Sequence, residues 1–189
     1  NDGVDLFIGT NITAGTGGAS VGTMDLSGGV FNATLDDLTV GRFDYSNAGG
    51  SVGTLVMDAG SVTANNVILA QTNAPAGSES KTKGTITMRG GSFDVSDNVT
   101  DGAGVSTIEI LNGTMTVGGD FAVDNVLVGS NGGTAVLDID GAVVIGSGAD
   151  SALNVAVVTG SGTDGGAGTL DLAGATSVAI NVGTVRIAN

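Results

Sequence analysis

The chain has no cysteine, no histidine, no tryptophan and a single proline. Without cysteine there is no disulfide and no thiol chemistry, and without histidine there is no Cys/His zinc centre. Ser-His-Asp and Cys-His catalysis are excluded with them. Aromatic residues are only 3% of the chain although hydrophobic residues make up 41%. The interior must therefore be filled by Val, Ile, Leu, Met and Ala, which suits a narrow core of thin repeated layers. Basic residues are also scarce, 5 Lys and Arg against 19 acids, for a formal charge of −14. Such a chain repels nucleic acid and anionic membranes, so neither is expected as a partner. No apolar run approaches the ~20 residues of a membrane span, and no membrane insertion is expected. The first residue is Asn1 rather than Met, the mark of a processed, trimmed or partial chain.

What the chain has instead is glycine, 35 of 189 residues, set at regular places. The stretch GTITMRGG at Gly84 has close counterparts. GTMDLSGG begins at Gly22, GTLVMDAG at Gly53, STIEILNG at Ser106, TAVLDIDG at Thr134 and GTLDLAGA at Gly168. A repeat of 22–33 residues signals a solenoid, propeller or array. Aligned on these starts, the first inward position reads Met24, Leu55, Ile86, Ile108, Leu137, Leu170. The second reads Leu26, Met57, Met88, Ile110, Ile139, Leu172. All are aliphatic, and the positions between them are mixed, as period-two alternation across a sheet requires. A second short strand follows the glycine corner, and a third reads LTVG at 38–41, VILA at 67–70, VLVG at 126–129 and VAVV at 155–158.

Three short strands per repeat, glycine corners and aliphatic columns predict an all-β fold. It is a single-stranded parallel β-helix of about six coils, forming one domain over 1–189 with a long loop at 71–83. Like residues then stack about 4.8 Å apart from coil to coil. An antiparallel meander is the alternative, since GG and NG also make hairpins, but a meander has no need of the same residue class at the same offset in every repeat.

The GT-x-aliphatic-x-aliphatic-x-G-G units resemble the β-strand repeats of bacterial autotransporter passenger domains and related secreted surface proteins. The resemblance covers nearly the whole chain. It implies a right-handed helix, an extracellular or cell-surface location, a stalk or adhesive role, and no catalytic residues.

Candidate sites follow from the same alignment. Glu109, Asp138 and Asp171 share one outward offset, a column of acids that a bridging Ca2+ would relieve; a solvated acidic face is the plainer reading. GTDGGAG at 162–168 is a faint match to a repeat-type calcium loop. Asp58 and Arg89 share an outward offset and are expected to pair at the surface. Asn11, Asn32, Asn98 and Asn112 open N-x-T sequons, which turn-forming asparagine also explains. The threonines of TIT (85–87) and TMT (114–116) are suited to binding ice but do not recur at one offset. Asp36 with Asp37, and Asp138 with Asp140, are the close acid pairs a polysaccharide-cleaving enzyme would use, but the aromatic lining of a sugar groove is missing. The assembly reading has most content. The chain starts in mid-coil around Leu6 and Ile8 and ends on a strand with Val185 and Ile187. Head-to-tail stacking of copies would join these ends into a filament or surface layer, the alternative being a piece of a longer solenoid whose neighbouring coils lie outside this sequence. A fragment of an adhesin stalk that binds host or matrix is the second reading.

Overall fold

Alternating inward aliphatic and outward polar residues can be satisfied in a narrow body only if each strand pairs with its counterpart one turn away. The computed structural model, which describes residues 3–12, 19–44, 49–72, 79–130, 132–157 and 166–188, does this throughout. Every strand pairing it contains is parallel. The fold is a parallel β-solenoid with three sheet faces.

Face one stacks β2 (Ser20–Leu26), β4 (Ser51–Met57), β6 (Lys83–Met88), β9 (Val105–Ile110) and β12 (Asn125–Val128). It continues through the ends of the long strands β14 (Ala142–Val155) and β16 (Ser177–Ile187). Face two stacks the starts of β3 (Phe31–Phe43) and β5 (Gly60–Thr72), then β7 (Ser92–Val95), β10 (Gly113–Val117), β13 (Thr134–Ile139) and β15 (Ala167–Asp171). Face three stacks β1 (Leu6–Asn11), the ends of β3 and β5, β8 (Val99–Asp101), β11 (Phe121–Val123) and the starts of β14 and β16.

The inward columns meet in one aliphatic core. Leu55, Met57, Ile86, Met88, Ile108, Ile110, Leu137 and Ile139 are fully buried. Met24, Leu26, Leu170 and Leu172, nearer the two ends, are partly buried against it. Each fully buried side chain of this size contributes about 1.5–3 kcal/mol.

The last two repeats do not lie where the alignment puts them. Leu137 and Ile139 are stacked on Met115 and Val117 of face two, not on Ile108 and Ile110 of face one. Their places on face one are taken by Val126 and Val128. The cause is a strand count. The repeats starting at 22, 53 and 84 each supply three strand segments, one per face. The repeat starting at 106 supplies four: β9, β10, β11 and β12. The additional segment advances everything after it by one face, so the GT-type strands β13 and β15 land on face two. The third-strand motif is split by the same shift: LTVG and VILA lie on face three, but VLVG on face one.

The local packing of the motif survives the move. The glycine of the GT pair sits where the chain closes on itself, against a strand end that turns through a left-handed residue. At Gly84 an added Cβ would collide with the Val40 carbonyl oxygen and lie 2.6 Å from the nitrogen of Ala70, whose φ is +51°. At Gly168, one face further on, it would collide with the Val128 carbonyl oxygen and lie 2.8 Å from the nitrogen of Ala156, at φ +55°.

Candidate functional site

The solenoid presents three kinds of surface with chemical content: an acidic file on face two, an aliphatic layer at one end, and a polar corner between faces three and one.

The acidic file is shorter than the alignment implies. Glu109 lies on face one, between Thr87 and Leu127, and accepts a hydrogen bond from Thr87 Oγ1 at 3.0 Å. Asp138 and Asp171 lie on face two as register neighbours, in an outward file that runs Thr34, Thr63, Asp94, Thr116, Asp138, Asp171. The four-strand repeat thus separates Glu109 from its supposed partners. Thr116 donates to Asp94, and Asp171 Oδ1 caps the Ala173 N–H at 2.9 Å. Among the described residues no group of three or more acidic side chains is placed to hold a metal ion. Residues 162–165 of GTDGGAG lie outside the described residues.

Other polar residues serve the coil corners. Asn32 Oδ1 accepts from the Ser61 N–H of the next coil at 3.0 Å, Asn98 Oδ1 from Asp120 at 2.9 Å, and Asn112 Oδ1 from Thr134 at 3.3 Å. Three of the four sequon asparagines are therefore clamps between successive coils, and Asn11 closes β1. Asp36 and Asp37 accept from the Asn65 and Asn66 side chains one coil on, which makes them clamps as well. Asp58 and Arg89 do not pair. Asp58 Oδ2 accepts from the Gly28 N–H, and Arg89 reaches Ser27 Oγ at 3.3 Å. Arg42 does form an ion pair, with Asp44. On face one the threonines do form a file, Thr23, Thr54, Thr85 and Thr107, which Asn125 and Ala152 interrupt.

The aliphatic layer lies on the last described coil. Leu153, Val155, Leu170, Leu172, Ile180, Val185 and Ile187 line an open groove of about 460 Å³. Val178, Ile180, Val185 and Ile187 are 46–68% exposed. At the opposite end Ile8 is buried and Leu6 partly so, both on face three, where they pair with Val40 and Leu38. Leu6 and Ile8 are thus on a different face from Val185 and Ile187, which end face one.

The polar corner was not legible in the sequence. Asp124 joins β11 directly to β12 and is only 3% exposed. Its Oδ2 accepts from the Ser106 N–H at 3.1 Å, and its own N–H donates to Ser106 Oγ at 2.8 Å. Asp101, at the end of β8, lies beside it. Burial, and then the charge of Asp124, push the Asp101 carboxyl up to about 7, although a hydrogen bond from Ser106 works the other way. Asp101 Oδ1 and Asp124 Oδ1 are buried without a hydrogen-bond partner. A lone Asp within FAVDNVLVG reads as a solvated turn; the only signal was the missing loop between two apolar strands.

Compared with models of known protein families, with curated proteins and with solved structures, the chain matches none.

Proposed function

We propose that this solenoid is a structural subunit of an extracellular filament or surface layer, joined head to tail to further copies of itself. The observation that carries the reading is the open aliphatic layer of Ile180, Val185 and Ile187 on the last described coil, which continues the core columns of faces three and one. Exposed parallel strands over an apolar layer present both unpaired backbone groups and hydrophobic surface to a matching strand. The arrangement of faces specifies the joint. Strand β1 of the next copy, with Leu6 and Ile8, would stack on Val178 and Ile180 of face three. Strand β2, with Met24 and Leu26, would stack on Val185 and Ile187 of face one. Contact of this kind is heterologous and makes an open polymer. The net charge of −14 would keep such a subunit soluble until its ends meet.

Electron microscopy and sedimentation of the purified protein test this reading. Filaments or sheets that form with rising concentration are expected. Ile187→Asp, at an exposed position, should leave the melting temperature of the single subunit nearly unchanged and abolish polymer. A chain that stays monomeric at high concentration would contradict the proposal.

A further inference from the structure

The corner formed by Asp101, Ser106 and Asp124 has a composition that a structural turn does not require. Asp124 is tied to Ser106 by two hydrogen bonds, and Asp101 lies beside it on the wall of the same pocket. Each keeps one oxygen buried and unpartnered. Ionised carboxylates only accept, so neither can satisfy the other, and their like charges repel. Both residues line a surface pocket of about 140 Å³, shared with Ala122, Val123, Val144, Gly146 and Ser147. A water molecule occupies about 30 Å³ of liquid volume, so the pocket has room for an ion and part of its hydration shell.

We propose that this pocket is a calcium site, with one Ca2+ held between the Asp101 and Asp124 carboxylates. The Ser147 hydroxyl and water would complete the oxygen shell. Water alone would satisfy the two oxygens but leave their repulsion, whereas a divalent cation removes both costs. An all-oxygen donor set selects a hard cation. Irregular geometry with adaptable ligands suits calcium better than magnesium, which demands a near-ideal octahedron. Two carboxylates give modest affinity, on the order of 10⁻⁴–10⁻³ M, the range of extracellular calcium modules. The site is distinct from the outward file of Asp138 and Asp171, and it stands whether or not the subunits polymerise.

Calorimetric titration of the full chain with CaCl2 is the test, with melting curves recorded in calcium and in chelator. One site is expected, with a melting temperature raised by several degrees in ~10 mM calcium. Asp101→Asn and Asp124→Asn should each remove the response, while Asp138→Asn keeps it. Ser147→Ala, which disturbs neither carboxylate, should weaken binding several-fold in a folded protein. Absence of binding in the wild type would overturn the proposal and leave the pair closed by a shared proton. A response that survives in folded Asp101→Asn or Asp124→Asn, or that disappears in Asp138→Asn, would equally overturn it by placing the ion elsewhere.

Discussion

The strands at 84–88 and at 168–172 carry nearly the same residues, GTITM and GTLDL, yet they lie on different faces of the solenoid. Both place two aliphatic side chains inward, both place a glycine against a strand end in the left-handed conformation, and both start a coil corner. What moves the second to another face is the four-strand repeat that lies between them. The motif therefore encodes a corner and an inward face, and strand count decides which face it occupies. A three-sided solenoid tolerates this because each face presents the same kind of inner column: aliphatic, stacked and parallel.

The comparison fails if the half of the molecule after the shift is not packed like the half before it. The strongest test is a charge in each core. Ile110 on face one and Ile139 on face two are both fully buried. Ile110→Asp and Ile139→Asp should each cost more than about 4 kcal/mol, read from denaturant unfolding. A mild effect at Ile139 alone would mean that the later coils do not form the closed core described here.

Next in size are the closure glycines. Gly84→Ala and Gly168→Ala drive a Cβ into backbone atoms of the facing strand, which rigid backbone cannot accommodate. Each should cost about 3 kcal/mol, and similar values at the two sites would confirm that the corner is conserved across the face change. Gly28→Ala is the control: a Cβ there meets nothing, and only its φ of +76° is unfavourable, for about 1 kcal/mol.

The corner at which the additional strand enters has its own pH signature. The folded state holds a proton on Asp101 up to about pH 7, whereas the unfolded chain releases it near 3.8. The native state therefore binds more protons between those values, so this group's contribution to stability falls as pH rises from about 4 to 7. Allowing for its partial exposure, the loss is on the order of 2 kcal/mol in calcium-free buffer. Asp101→Asn should flatten that part of the profile, as measured by melting at a series of pH values. The smallest effect is expected at Arg89. Its contact with Ser27 is exposed, and Arg89→Ala should change stability by less than about 0.5 kcal/mol.

The inward columns were readable because alternation reports inside against outside, and Met24 through Leu172 all point inward. The face was not readable. Phe121–Val123 looks like one more short apolar stretch, and nothing in its composition says that it forms a strand of its own. That one segment separates Glu109 from Asp138 and moves the third-strand motif from face three to face one. The Asp101–Asp124 corner was hidden for a related reason, since burial there comes from the neighbouring coils and not from local pattern. The sequon asparagines show the opposite case: turn chemistry alone accounted for them, and Asn32, Asn98 and Asn112 do cap the following coil.

Cysteine cross-linking tests the face shift most directly, because the chain has no cysteine to interfere. Thr116 and Asp138 are register neighbours on face two. Neighbouring parallel strands lie about 4.8 Å apart, within disulfide reach. In the double variant Thr116→Cys, Asp138→Cys a disulfide should form readily on mild oxidation. The pair Glu109→Cys, Asp138→Cys, on different faces, should remain reduced under the same conditions. Efficient bridging between positions 109 and 138, with none between 116 and 138, would contradict the four-strand repeat and restore the single acidic column.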